Sequence, residues 1–165
     1  MKWPTRSLLV AFFLALFGTL NQAQGLEQIG RLGVGMTQAL KNDIPALSFK
    51  FQRSPAFAMG GMVGLSTDDQ SGGYGAGLKL YRVFFDEPQL NFYGSVMGAL
   101  IKEKNNGDSL SGYQFDFTLG SEFSFSGLQS LGFSFEFGIS MNKKRDMVIE
   151  TVGNNFFVAA VHFYL

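Results

Sequence analysis

From Leu131 to Asn142 the chain alternates without a break. Leu131, Phe133, Phe135, Phe137, Ile139 and Met141 form one set; Gly132, Ser134, Glu136, Gly138, Ser140 and Asn142 form the other. A period of two places those sets on opposite faces of an extended strand, whereas a helix would mix them. Gly112 to Phe123 repeats the pattern, with Tyr113, Phe115, Phe117, Leu119 and Phe123 set against Gln114, Asp116, Thr118, Gly120 and Glu122. It recurs in Leu47, Phe49 and Phe51, in Ala76, Leu78 and Leu80, and more loosely from Leu90 to Lys102. Leu32, Val34 and Met36 show it weakly, as does the glycine-rich stretch from Ala56 to Ser66. The last segment sets Phe157, Ala159, Val161, Phe163 and Leu165 against Phe156, Val158, Ala160, His162 and Tyr164. Eight segments result, separated by reversal chemistry such as Ser54-Pro55, Asp86-Glu87-Pro88 and Asn105-Asn106-Gly107-Asp108. The fold expected is all-β, an eight-stranded antiparallel up-and-down barrel.

Alternation leaves open which face points inward, and volume decides it. An eight-stranded barrel has an interior only just filled by side chains. The apolar set carries most of the 19 Phe residues, too much bulk for that space. The other set is dominated by Gly, Ser, Ala and Thr with a few charges, which suits a narrow polar lumen. Stacked Phe ridges facing water would be an aggregation surface, but hydrocarbon accepts them. The segments are also long enough to cross a bilayer as tilted strands. The barrel is therefore read as transmembrane, with outer-membrane lipids as its surroundings.

The first residues read as an address. Lys2 and Arg6 precede the uncharged run from Leu8 to Leu20, too short to span a bilayer as a helix but suited to a secretory signal. Cleavage after Ala23 assigns 1–23 to a signal peptide and 24–165 to the barrel. Charged residues make up only 16%, and 13 basic side chains match 13 acidic ones, so no field gathers nucleic acid. The absence of cysteine excludes disulfides, thiolate metal sites and a cysteine nucleophile.

The signal segment, the eight alternating segments and the aromatic-rich final strand resemble the small outer-membrane barrels of Gram-negative bacteria, of the OmpA-domain and OmpX type. In that group the carboxy-terminal strand is read by the barrel assembly machinery. The resemblance implies that Phe157, Val161, Phe163 and Leu165 form such a targeting strand, although Leu165 stands where the group usually ends in Phe. It also implies a monomer in the outer membrane, and it carries no catalytic or ligand residue across.

With the amino terminus in the periplasm, the inward set places Lys50, Lys79, Asp116 and Glu136 near mid-height, and Arg31, Glu122 and His162 nearer the periplasmic end. Balanced signs at each level point to a structural charge network, because a buried charge without a partner is costly. His162 is the only histidine. Outer-membrane lipid A deacylases carry a His followed two positions later by Ser, and here that position is Tyr164. No metal-ligand spacing occurs, and the acidic Asp68-Asp69 pair lacks the oxygen-rich loop of a calcium site. Gly72 to Gly77 leads into a strand, not a helix, which excludes a phosphate-binding loop. The reading is a non-enzymatic structural or surface barrel without cofactor or metal. The alternatives are a narrow channel or conduit for small hydrophobic molecules, and a lipid-modifying hydrolase.

Overall fold

A computed structural model describes residues 28–69, 71–105, 108–153 and 156–165; the expected signal peptide at 1–23 lies outside them. Nine strands follow in order: β1 (Leu32–Thr37), β2 (Ala46–Ser54), β3 (Phe57–Ser66), β4 (Gly73–Glu87), β5 (Leu90–Asn105), β6 (Asp108–Phe125), β7 (Leu128–Lys143), β8 (Met147–Thr151) and β9 (Phe157–Tyr164). Each strand from β1 to β7 pairs antiparallel with the next, and β9 closes the ring between β7 and β1. β8 and β9 share the eighth position, so the barrel is closed, eight-stranded and up-and-down.

The apolar set faces out. Phe117, Leu119, Phe135, Phe137 and Ile139 are exposed, whereas Gln114, Asp116, Glu122, Ser134 and Glu136 are buried. Phe135 is 45% exposed and its neighbour Ser134 only 3%, which is the period of two expressed as burial. Outward aromatic rings stack across strands: Phe123 lies 5.7 Å from Phe133 and 5.9 Å from Phe135 between ring centroids. Such cross-strand pairs help to hold register.

The two ends differ. At the end where β1 begins and β9 finishes, two-residue turns join Ser54 to Phe57, Glu87 to Leu90 and Phe125 to Leu128. Next to each turn the register slips, at Gln52/Ser54, Val83/Phe85 and Phe123/Phe125. Bulges of this kind sharpen the bend at a barrel rim. At the far end the wall is uneven: β1 has 6 residues and β2 has 9, against 15 to 18 for β4 to β7.

Two features depart from the sequence expectation. The final segment continues in a separate strand, β8, which pairs only with β7 among the described strands. Ile139 faces Thr151 and Phe137 faces Phe157, so Gly138 alone separates the two pairings on β7. The backbone turns through left-handed conformations at Gly153 (φ 64°) and Phe156 (φ 61°), and Val152 becomes fully buried. The second lies in the connection 38–45, where Lys41-Asn42-Asp43 does reverse the chain, as its turn chemistry suggests, but not simply as a surface turn. Instead it folds into the barrel mouth, burying Ala39, Leu40 and Ile44. Ala39 and Leu40 join Ala46, Met62, Met97, Ala99, Ile101, Val152 and Val158 in one apolar core. Space for the segment comes from Gly64 and Gly75: a methyl at Gly75 would stand 2.7 Å from Leu40 Cδ1.

Candidate functional site

The chemistry gathers inside the half of the barrel nearer the start of β1 and the end of β9. Lys50 on β2 reaches across the lumen and donates to Glu122 Oε2 on β6 at 2.6 Å. β2 and β6 stand on opposite walls of an eight-membered ring, so this pair braces the full bore. Lys79 on β4 is paired in the same way with Glu136 on β7. All four side chains are buried.

Each carboxylate has further donors, as a buried ion needs. Glu122 Oε1 accepts from the Tyr164 hydroxyl at 2.6 Å. Glu136 Oε1 accepts from the Tyr93 hydroxyl at 2.9 Å, and its Oε2 from Thr118 Oγ1 at 2.9 Å. Ser95 Oγ lies 2.5 Å from Thr118 Oγ1 and extends the chain. Aromatic rings join the two pairs. Lys50 Nζ lies 4.9 Å from the ring centres of both Tyr81 and Tyr93, Lys79 Nζ lies 5.3 Å from Tyr81, and the two tyrosines meet edge to face at 5.3 Å. A cation held between a carboxylate and an aromatic face is compensated on two sides. Glycine makes the room. At Gly120, which faces both Tyr93 and Glu136 in register, a Cβ would lie 2.7 Å from Glu136 Cγ and 3.0 Å from Tyr93 Cε2.

The six charged residues singled out from the sequence therefore divide. Lys50, Lys79, Glu122 and Glu136 form two crossed pairs, in place of the expected mid-height group of Lys50, Lys79, Asp116 and Glu136. Arg31 does not meet Glu122. Its guanidinium donates to Ser130 Oγ at 2.9 Å, to the Tyr164 carbonyl at 2.6 Å and to the Leu165 carbonyl at 3.3 Å. Lys50 and Tyr164 already occupy the Glu122 oxygens, and Arg31, lying before β1, is left to clasp the last residues of the chain. Asp116 is buried but forms no ion pair among the described residues. Its Oδ2 accepts from Gln114 Nε2 at 2.8 Å. Gln114 in turn holds the inward segment, donating to the Ala39 carbonyl at 2.8 Å and accepting from Lys41 N at 2.9 Å. Phe157, Val161 and Phe163 lie exposed on the outer face of β9, with Leu165 exposed just beyond it.

Sequence reasoning missed the tyrosines. Tyr81 falls in the inward set by alternation alone, but the donor roles of Tyr93 and Tyr164 depend on what faces them across the bore. It also missed the Ser48 hydroxyl, 2.9 Å from His162 Nε2. Gly35 stands between those two residues in register and presents no side chain to separate them. A serine beside an imidazole is the start of a nucleophilic dyad, yet this one is buried, and among the described residues no carboxylate bonds His162 Nδ1 to orient the ring. A cavity of about 10 Å³ next to it, lined by Ser48, Ser134, Glu136 and His162 among others, is too small for any solute larger than water. Among the described residues no cluster of His, Asp and Glu is arranged to hold a metal.

An antiparallel eight-stranded barrel with an apolar exterior and a packed, ion-paired interior has the architecture of the small barrels of the OmpA-domain and OmpX type. The structure is similar to the crystal structure of the N-terminal β-barrel domain of Pseudomonas aeruginosa OprF. The TM-score is 0.61 at 12% sequence identity, over 83% of this chain and 98% of that one. At that identity the likeness is one of fold. No protein-family model and no curated protein matches the sequence.

Proposed function

We infer that the protein is a non-enzymatic, monomeric barrel of the bacterial outer membrane, with a structural or surface role. The observation that carries this reading is the inversion of the barrel: exposed Phe, Leu, Val and Ile outside, with compensated charges inside. Water penalises that surface and hydrocarbon favours it. The tight turns at the end where β1 begins and β9 finishes resemble the short periplasmic turns of such barrels, which supports a periplasmic orientation for that end. The crossed ion pairs and the apolar core around Leu40 obstruct the lumen at two heights, which favours a structural role over conduction. The aromatic outer face of β9 suits recognition by the barrel assembly machinery during insertion.

Cell fractionation and planar-bilayer recording test the reading together. The protein is expected in the outer-membrane fraction, with a mature amino terminus near Gln24, and to give no steady conductance. Recovery in the soluble periplasm would overturn the membrane assignment. Stable unitary currents that respond to substitution of Lys50 or Lys79 would put the channel reading in its place.

A further inference from the structure

The far rim sorts charge by face. On β5 the register is unbroken from Leu100 to Lys104, so Lys102 and Lys104 share the outward face of Leu100, which is 69% exposed. On β7, Lys143 shares the outward face of the exposed Ile139. Between them, Tyr113 of β6 pairs in register with both Leu100 and Lys143. Tyr74 of β4 faces Lys102, whose Nζ lies 5.9 Å from its ring centre. Of the nearby acids, Asp68 and Asp69 lie in the connection between β3 and β4, which meets β5 where Lys104 N donates to the Gly72 carbonyl at 2.7 Å, and neither stands on a strand face. Glu103, one residue out of phase with Lys102, is held by Lys144 at 2.5 Å. Glu150 accepts from Asn142 Nδ2 at 2.6 Å and lies 3.4 Å from Lys41 Nζ. Asp108 is the first residue of β6, and Asp146 lies in the connection between β7 and β8.

The outward belt is thus cationic and aromatic. It stands directly above a continuous apolar wall that includes Leu78, Leu100, Phe115 and Ile139. We propose that this belt, centred on Lys102, Tyr113 and Lys143, is a binding surface for the phosphate of an anionic lipid whose acyl chains lie along the wall below. A free anion would gain nothing from the apolar wall, and an uncharged lipid would gain nothing from the lysines. Only a negatively charged amphiphile uses both. The aromatic rings between the lysines suit the headgroup boundary, where amphipathic rings collect.

This inference rests on the membrane-spanning reading, and the experiment separates the two. The protein, purified from membranes, is placed in phosphatidylcholine nanodiscs containing a minority of phosphatidylglycerol, and retained lipid is counted by native mass spectrometry. The wild type is expected to retain phosphatidylglycerol selectively. Lys102→Gln with Lys143→Gln is expected to weaken that retention about 25-fold, roughly fivefold for each lysine. Lys144→Gln, on the inward face, is expected to change it less than twofold. Glycerol phosphate, which lacks chains, is expected not to displace the lipid. If the double variant fails to fold, the two single variants carry the same test. Unchanged retention in the lysine variants, equal retention of phosphatidylcholine, or displacement by glycerol phosphate would each overturn the lipid site. Failure of the wild type to insert into the discs, read as loss of its heat-modifiable gel band, would instead overturn the membrane reading and this inference with it.

Discussion

Residues in the lumen hold charge where water is scarce, and the cost of disturbing them follows. Glu136 has three donors in Lys79, Tyr93 and Thr118, so Glu136→Gln leaves the Lys79 ammonium without its counter-charge. A loss on the order of 3–5 kcal/mol of folding stability is expected by urea unfolding in vesicles. Lys79→Gln in the same chain is expected to recover part of it, because contacting groups do not add. Lys50→Gln is expected to couple with Glu122→Gln in that way and much less with Glu136→Gln. Equal coupling of Glu136 to both lysines would mean one shared cluster, not two pairs. Gly120→Ala tests the packing of the same site. Its methyl would meet Glu136 Cγ at 2.7 Å and the Phe135 carbonyl oxygen at 2.8 Å, and the second contact is backbone that cannot swing aside. A loss of about 1–3 kcal/mol is expected from such overpacking. A neutral effect would show that the wall yields where Glu136 sits.

At the level of the strand, the period of two predicts opposite outcomes for adjacent substitutions. Phe135→Arg puts a charge among exposed apolar side chains midway along β7, and about 2–4 kcal/mol is expected at the bilayer midplane. Ser134→Asn adds a polar group on the lumen side beside the small cavity, and a much smaller change is expected. A reversed order, measured by the same unfolding assay, would mean that the faces are assigned the wrong way round. The inward segment offers a second element-scale test. Lys41 is 9% exposed along its side chain and donates to the carbonyls of Thr151 and Gly153 at 2.8 and 2.6 Å, capping the end of β8 where β1 has already stopped. Trypsin acting on the folded barrel is expected to cut at Lys143 or Arg145, which are exposed, and to spare Lys41. Early cleavage at Lys41 would show that 38–45 stands outside the mouth. Leu40→Ala is expected to cost about 2–5 kcal/mol, as for any large side chain removed from a packed core.

For the whole molecule, closure leaves no free edge where β9 meets β1, while the taller wall from β4 to β7 overtops the short β1 and β2. The buried segment and Lys41 fill the low side, so in this barrel plug and wall support each other. Folding is therefore expected to be cooperative, with the compact band on an unboiled gel lost in one step along a urea series. A first step that exposes Lys41 to trypsin while the compact band persists would show that the plug folds independently of the wall.

Eight of the nine described strands, their spacing and the inside-out polarity were written in the order of residues, because alternation is local: each side chain's face follows from its neighbour two positions away. The remaining strand, β8, is short and exposed and carries no such alternation. The lumen membership of Lys50, Lys79, Asp116, Glu122 and Glu136 was legible for the same reason. Which of them meet was not. Height inside a tilted barrel depends on the stagger accumulated around the ring, and no single strand records it. That stagger brings Lys50 to Glu122 and leaves Arg31 at the carbonyls of Tyr164 and Leu165. Nor does the turn chemistry of Lys41-Asn42-Asp43 reveal that its flanks are buried, since Gly64 and Gly75 create that space from strands distant in sequence. The sequence determined a barrel with charges inside it; only closure of the ring decided how those charges pair and what fills the mouth.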